Sequence, residues 1–211
     1  MYARTVNDQI LTFCVSGNLW NRSLVMMDIE TESFWSHILG LGKRGPMEGA
    51  QLEIIPAELT TWGRWAETHP ETSVLNLSRT HEDFTHDFYE NPEDFVYGWR
   101  LGAKTYASTF GAMRQNPSQN LDLDGDVLLL AFDTEGDSPI LYSRTLDGVT
   151  HTFELEGGSL RDAQTKSVWT LATGVCIDGQ LKGASLEHVV GIVSFTKSWF
   201  DFHPDTELVQ P

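Results

Sequence analysis

Asp28, Thr31, Ser33 and Trp35, followed by Gly40, Gly45, Gly49-Ala50, Leu52-Glu53, Trp65, His69-Pro70 and Thr72, form the stretch that decides how this chain is built. Each residue returns 134 positions later: Asp162, Thr165, Ser167 and Trp169, then Gly174, Gly179, Gly183-Ala184, Leu186-Glu187, Trp199, His203-Pro204 and Thr206. Aligning 28–75 with 162–209 without a gap gives 14 identities in 48 positions, where ordinary composition gives roughly 3. The block is duplicated, and one unit built twice is the expected plan of the fold.

Upstream the duplication continues in another register. Tyr2, Arg4, Thr5, Thr12, Phe13 and Gly17 recur 140 positions later as Tyr142, Arg144, Thr145, Thr152, Phe153 and Gly157. The change from 140 to 134 gives the first copy six extra residues between Gly17 and Asp28, read as a longer surface hairpin around Asn18 to Leu24. The segment 96–140 leads into the second copy, and counting back 140 leaves it no counterpart in the first. The first copy is therefore expected to lack its opening strands, as an incomplete unit or as part of a longer protein.

Within each copy the pattern is mostly β. Ile10 to Ser16 and Val149 to Leu155, Leu24 to Asp28, Ser33 to Ile38 and Ser167 to Ala172, and Gln51 to Ile55 and Ser185 to Val190 read as strands, rich in β-branched and aromatic residues. The period then changes. Thr60 to Glu67 and Ser194 to Phe202 carry aromatics at helical spacing, with Thr60 and Ser194 as expected N-caps. His69-Pro70 and His203-Pro204 end them, because proline cannot continue a helix and disfavours it in the residue before. Between the copies, the spacing predicts a hairpin around Gly102, a short segment at Phe110 to Arg114, a loop rich in Asn, Gln and Pro, a turn at Asp124-Gly125, and strands at Val127 to Phe132 and Pro139 to Arg144.

Composition narrows the function classes. With 14 basic and 30 acidic residues the net charge is −16, which repels phosphate backbones and excludes nucleic acid as the main partner. No apolar run approaches the roughly 18 residues of a membrane helix, and the opening Met1-Tyr2-Ala3-Arg4 is not a signal peptide. Cys14 and Cys176 align with Glu154 and Gly42, so two unrelated thiols make no disulfide framework.

Taken in order, several motifs resemble the domain of unknown function 3179 family of bacteria and archaea. They are Leu11, Thr12, Phe13, Val15, Ser16 and Gly17; Asp28, Thr31, Ser33 and Trp35; Gly45-Pro46, Gly49 and Leu52; Thr61-Trp62, Trp65 and Pro70; and Trp199-Phe200, Phe202, Pro204 and Thr206. The resemblance covers nearly the whole chain. It implies no activity, and it implies an extracytoplasmic setting, since many members look exported. Members carry a His-Glu and a Cys-Pro-x-Cys element upstream that this chain lacks, so no metal or thiol chemistry is carried over. His37 stands where members more commonly have Gln.

Three groups of residues are candidates for chemistry. His81, Glu82, Asp83, His86 and Asp87 put imidazole and carboxylate ligands within reach of one loop, the best local set for a divalent metal ion, although the five-residue step between the histidines does not share a helical face. His37 faces Leu171 in the second copy, so it is the asymmetric polar residue nearest the repeated block, and Asp28, Arg4 and Ser16 are its expected catalytic neighbours. Asp122, Asp124 and Asp126 resemble a calcium loop but lack its glycine and glutamate, so a hairpin turn accounts for them. His69 and His203, kept in both copies, are expected to pack beside Trp65 and Trp199.

The expected fold is α+β, mainly β: two repeated β-rich units related by a pseudo-twofold axis, each ending in a short Trp-containing helix. The expected limits are 1–75 for the first copy, 76–95 for an acidic aromatic connector and 96–211 for the second copy. The leading function is a ligand-binding or interaction module of an exported or envelope-associated protein, taking a small-molecule or protein partner in a groove between the units. The competing one is a metal-assisted enzyme of unknown reaction, with His37 or the loop from His81 to Asp87 as ligands.

Overall fold

Short polar residues and glycines place the turns of this chain. The computed structural model describes residues 1–57, 59–74 and 91–210. In the first copy β1 (Thr5–Val6) and β2 (Gln9–Ile10) form a hairpin, followed by β3 (Phe13–Trp20), β4 (Ser23–Asp28), β5 (Phe34–Ser36), β6 (Leu41–Arg44) and helix α1 (Trp62–Thr68). The middle of the chain gives β7 (Phe95–Leu101), β8 (Lys104–Thr109), α2 (Phe110–Gln115), β9 (Ser118–Leu123), β10 (Asp126–Asp133) and β11 (Ser138–Ser143). The second copy repeats the hairpin as β12 (Thr145–Leu146) and β13 (Val149–Thr150). It continues with β14 (Phe153–Glu156), β15 (Ser159–Asp162), β16 (Val168–Thr170), β17 (Cys176–Asp178), β18 (His188–Val189), β19 (Gly191–Phe195), α3 (Thr196–Phe202) and β20 (Glu207–Leu208).

Asn7-Asp8, Asn21-Arg22, Asp124-Gly125, Asp147-Gly148 and Gly157-Gly158 all sit at positive φ and turn two-residue hairpins. Such turns need left-handed backbone at both central residues, which Asn, Asp and Gly adopt at least cost. The fold is thus α+β and mainly β, as expected.

The described chain divides into two compact units, each discontinuous in sequence. One consists of Met1–Ala57, Val96–Ser108 and Val189–Gln210, and the other of the described part of Glu58–Phe95 with Thr109–His188. The limits 1–75, 76–95 and 96–211 remain the proposed bounds of the copies and connector. The compact units are drawn differently: α1 falls in the unit that holds β14–β17, and α3 in the unit that holds β3–β6.

The first unit holds the sheet β3-β4-β5-β6 and the sheet β19-β7-β8-β20, whose last pair is parallel. Val6, Leu11, Trp35 and Leu52 are buried together in one core, and Ile38, Val96, Ala107 and Trp199 in another. The six extra residues of the first copy extend the β3–β4 hairpin, and its tip docks on α3. Trp20 meets Phe202 edge-on at 4.8 Å, and Asn21 Nδ2 donates to the Asp201 carbonyl at 3.3 Å. Gly98 lies against the Trp199 indole so closely that a Cβ there would stand 2.4 Å from the ring.

The second unit holds β14-β15-β16-β17 and β18-β11-β10-β9. Its core gathers Leu129, Ala131, Ile140, Tyr142, Phe153, Leu160, Trp169, Leu171, Cys176 and Leu186. The unbroken apolar run Leu128 to Phe132 is buried along its length, which is why it shows no alternation.

Three expectations need correction. Thr60 and Ser194 are not N-caps: the helices begin at Trp62 and Thr196, their cap residues are Thr61 and Phe195, and neither makes a side-chain capping bond. In the second copy β19 runs up to Phe195, so Ser194 is strand. Gln51 to Ile55 is not a continuous strand but makes isolated bridges, Leu41 to Gln51 and Tyr2 to Ile54. Ser118–Leu123, the larger part of the stretch read as a loop, is the strand β9, because it pairs along its length with β10; Pro117 lies outside it. The helix stops are where His-Pro places them, with His69 and His203 as C-caps.

Two glycine substitutions should have opposite signs in urea unfolding. Gly98→Ala should lower stability by about 1–3 kcal/mol, because the methyl group has no room beside Trp199. Gly63→Ala, in a helix and with nothing within 4 Å of the new carbon, should raise the stability of α1 by up to about 1 kcal/mol.

Candidate functional site

The repeated residues Asp28, Thr31, Ser33 and Trp35 meet in one buried knot. Asp28 is fully buried; its Oδ1 accepts from the Thr31 amide at 2.6 Å, and its Oδ2 accepts from Trp35 Nε1 at 2.8 Å. The Thr31 hydroxyl lies 2.7 Å from Oδ1, and Ser33 Oγ accepts from the Met47 amide at 3.0 Å. Gly45, at φ +104°, passes so close to Ser33 that a Cβ would fall 2.7 Å from its Oγ. The sequence folds this way because an Asp ends β4, a Thr three residues on turns back to it, and alternation along β5 points Trp35 inward.

The second copy reproduces the knot bond for bond. Asp162 accepts from the Thr165 amide at 2.5 Å and from Trp169 Nε1 at 3.0 Å, and Ser167 Oγ accepts from the Leu181 amide at 3.2 Å. Phe13 meets Trp35 edge-on at 5.6 Å and Phe153 meets Trp169 at 5.7 Å. The helices agree as well: Trp65 Nε1 donates to Thr72 and Trp199 Nε1 to Thr206, each at 3.0 Å. The rings of His69 and His203 lie 3.9 and 4.4 Å from those indoles, so both histidines pack as expected.

Burial alone would raise the pKa values of Asp28 and Asp162. The hydrogen bonds from tryptophan, threonine and backbone amides outweigh it and hold both carboxyls below their ordinary range. With their oxygens engaged and no solvent access, these carboxylates anchor structure rather than abstract protons or bind a cation.

Of the catalytic set expected around His37, Asp28 and Ser16 already have hydrogen-bond partners within the fold. Asp28 is committed to its knot, and Ser16 Oγ donates to the Val25 carbonyl at 2.5 Å. The Arg4 side chain is exposed and has no partner among the described residues. His37 is half-buried, with Tyr2 edge-on at 6.4 Å; burial and the N-terminal ammonium lower its pKa. Its carbonyl accepts from the Tyr2 hydroxyl at 2.6 Å, as the Leu171 carbonyl does from Tyr142, so this position serves the fold in both copies. The candidate metal loop, His81, Glu82, Asp83, His86 and Asp87, lies outside the described residues. Among those described, no group of three His, Cys, Asp or Glu side chains is placed to hold a metal ion. Asp122 is held by the Arg144 guanidinium, and Asp124-Gly125 turns the β9–β10 hairpin, as the hairpin reading had it.

A polar cluster in the second copy was missed. Arg144 is buried and donates to the carbonyls of Leu128 at 2.9 Å, His151 at 3.0 Å and Leu121 at 3.1 Å, besides Asp122. His151, also buried, brings Nδ1 to 3.5 Å from Asp162 Oδ1, the outer limit of a hydrogen bond. The signal was available: His151 aligns with Leu11, an asymmetry as clear as that of His37.

A duplicated β-rich domain, each copy pinned by a buried Asp–Trp knot, is the class of protein these features define. The chain belongs to the DUF3179 family: the model described as "Protein of unknown function (DUF3179)" matches residues 1–94 and again 86–206. The double match agrees with the duplication, and the description assigns no activity. Neither the curated proteins nor the solved structures contain a match.

Replacing either knot tryptophan by Phe should cost about 1–3 kcal/mol in urea unfolding, by leaving a buried carboxylate short of a donor. Stability should also fall in two steps on acidification. The folded-state pKa values of His37, His188 and His203 are lowered, chiefly by burial, so the unfolded chain takes up those protons first. Stability is lost as pH falls below about 6.5. Asp28 and Asp162 are lowered too, and their contribution is lost as pH falls below about 3.9. Urea midpoints measured from pH 8 to 3 check both steps, and Asp162→Asn should shrink the second.

Proposed function

We propose that this chain is a non-catalytic binding or interaction module of an exported or envelope-associated protein. One observation carries the first part: the polar residues repeated in both copies are bonded inside the fold. Asp28, Asp162, Thr31, Thr165, Ser33 and Ser167 bond to one another, to indoles and to backbone. Apolar side chains that a lone domain would cover lie instead on the surface of β3, where Val15 is 72% and Leu19 71% exposed. The exported setting rests on the family resemblance. In this reading the repeated geometry is a scaffold, and recognition happens at its strand edges.

Elemental analysis of the purified protein, with thermal scans in zinc, manganese, magnesium and calcium, separates this from a metal-assisted enzyme. The expected result is substoichiometric metal and no rise in unfolding temperature. Stoichiometric metal that His81→Ala and His86→Ala remove would overturn it in favour of the enzyme.

A further inference from the structure

The equivalent sheets of the two copies present outer faces of different chemistry. Residues opposite one another in a β-ladder project from the same side of the sheet. In the second copy Glu154 stands opposite Arg161, Arg161 opposite Val168 and Val168 opposite Asp178, so one row across β14–β17 carries three charges on the side away from Trp169. Glu154, Glu156 and Asp178 are exposed there, and Arg161 Nε donates to Glu156 at 2.9 Å. The β9–β10 hairpin that precedes this copy meets β14 through Asn120 and the Phe153 backbone, and those carboxylates stay in solvent. An open outer face therefore belongs to the repeated sheet itself.

The row at the same register in the first copy is apolar. Cys14 stands opposite Met27, Met27 opposite Phe34 and Phe34 opposite Arg44. Beside it Val25 faces Ser36, where the second copy sets Ser159 against Thr170. Cys14, Val25, Met27 and Phe34 are half-buried and lie outside the cores that hold Trp35 and Trp199. The second copy builds the same sheet with charges in this row, so the fold does not require apolar residues there. Along β6 the charge changes sign as well: Arg44 takes the place of Asp178, and Lys43 that of Ile177. Arg22, Lys43 and Arg44 are exposed and unpaired with any carboxylate among the described residues, and Lys43 lies 4.8 Å over the Trp20 ring. In a chain of net charge −16, this face is an apolar stripe bordered by cations.

From this comparison we infer that the face formed by Met27, Phe34 and Arg44 is a docking site for an acidic amphipathic helix of a partner polypeptide. Phe, Met and Arg are residue types that protein interfaces favour over the rest of a surface. Four strands about 4.8 Å apart make the row roughly 14 Å wide, enough for a helix of about 10–12 Å diameter. A helix suits a sheet face because it pairs its own amides and carbonyls, whereas an extended segment lying there would find no backbone partner. Apolar residues of the helix cover Val25, Met27 and Phe34, and carboxylates along its border meet Arg44 and Lys43 in charge-assisted contacts. One end of the same face already receives a helix, where Phe202 of α3 meets Trp20 edge-on at 4.8 Å. This inference rests on the reading of the chain as a binding module and goes beyond it, adding a sheet face to the strand edges named there.

The probe is a fluorescein-labelled helical peptide of about 18 residues, five turns, with leucines along one face and glutamates along both borders, titrated into the full chain. A twin peptide carries lysines in place of the glutamates. The glutamate peptide should bind saturably, with a dissociation constant on the order of 100 µM or tighter and about tenfold or more below that of its twin. Cys14 is a reporter within the row, since the other thiol, Cys176, is 1% exposed, and alkylation of Cys14 should slow as the peptide saturates. Met27→Arg and Arg44→Asp install the residues that the second copy carries at the same ladder positions, so the sheet stays intact, and each should weaken binding by about tenfold or more. Absence of saturable binding overturns the inference, as does equal binding of the two peptides or binding indifferent to Met27→Arg. Protection of Cys14 by self-association of the chain, or by phosphatidylglycerol vesicles, in place of the peptide also overturns it. None of these outcomes bears on the metal analysis, so failure of the helix site and failure of the binding-module reading are told apart.

Discussion

The hydrogen bond from a tryptophan indole to a buried, ionised aspartate is the interaction on which this structure depends, and it is made twice. A carboxylate fully removed from water is costly unless donors surround it. Here each one receives an indole N–H, a threonine hydroxyl and a threonine amide within seven residues of chain. That requirement fixes Asp, Thr and Trp at their spacings, turns the chain after β4 and β15, and points Trp35 and Trp169 into their cores. The neighbouring Ser and Gly follow: the serine hydroxyl holds the next loop, and the glycine at positive φ lets that loop pass over it.

The same unit was then varied at its margins. The longer β3–β4 hairpin of the first copy reaches α3 through Trp20 and Asn21, so an insertion that reads as a surface loop is also a packing element. The second copy gained an arginine–histidine cluster under β9 and β10, where the first keeps Leu11 and an exposed Arg4. Differences between the copies therefore lie at the edges, and the interior of each is the common part.

Much of the fold was legible because duplication acts as a built-in control: a residue kept at both sites has a mechanical role that holds in either. Strands β4, β5 and β16, the turns at Asp124-Gly125 and around Gly102, and the His-Pro stops were readable from local chemistry. The helix starts were not, since Thr60 and Ser194 have the side chains of caps while backbone geometry sets the caps one residue later. β9 was not readable either, because its polar sequence pairs through backbone and through Asn120 rather than through an apolar face. The partners of the residues named with His37 were hidden for a related reason: sequence proximity to the repeated block does not show that Asp28 and Ser16 are bonded inside the fold.

The most direct measurement of the central claim is hydrogen exchange of the tryptophan indole N–H groups, followed by nitrogen-15 NMR. The Nε1–H groups of Trp35 and Trp169 should exchange only through global unfolding, at matching free energies in the two copies, while the exposed Trp62 exchanges at the rate of free indole. Rapid exchange at either Trp35 or Trp169 would contradict the account, because a knot that opens in one copy cannot be the constraint that shaped both.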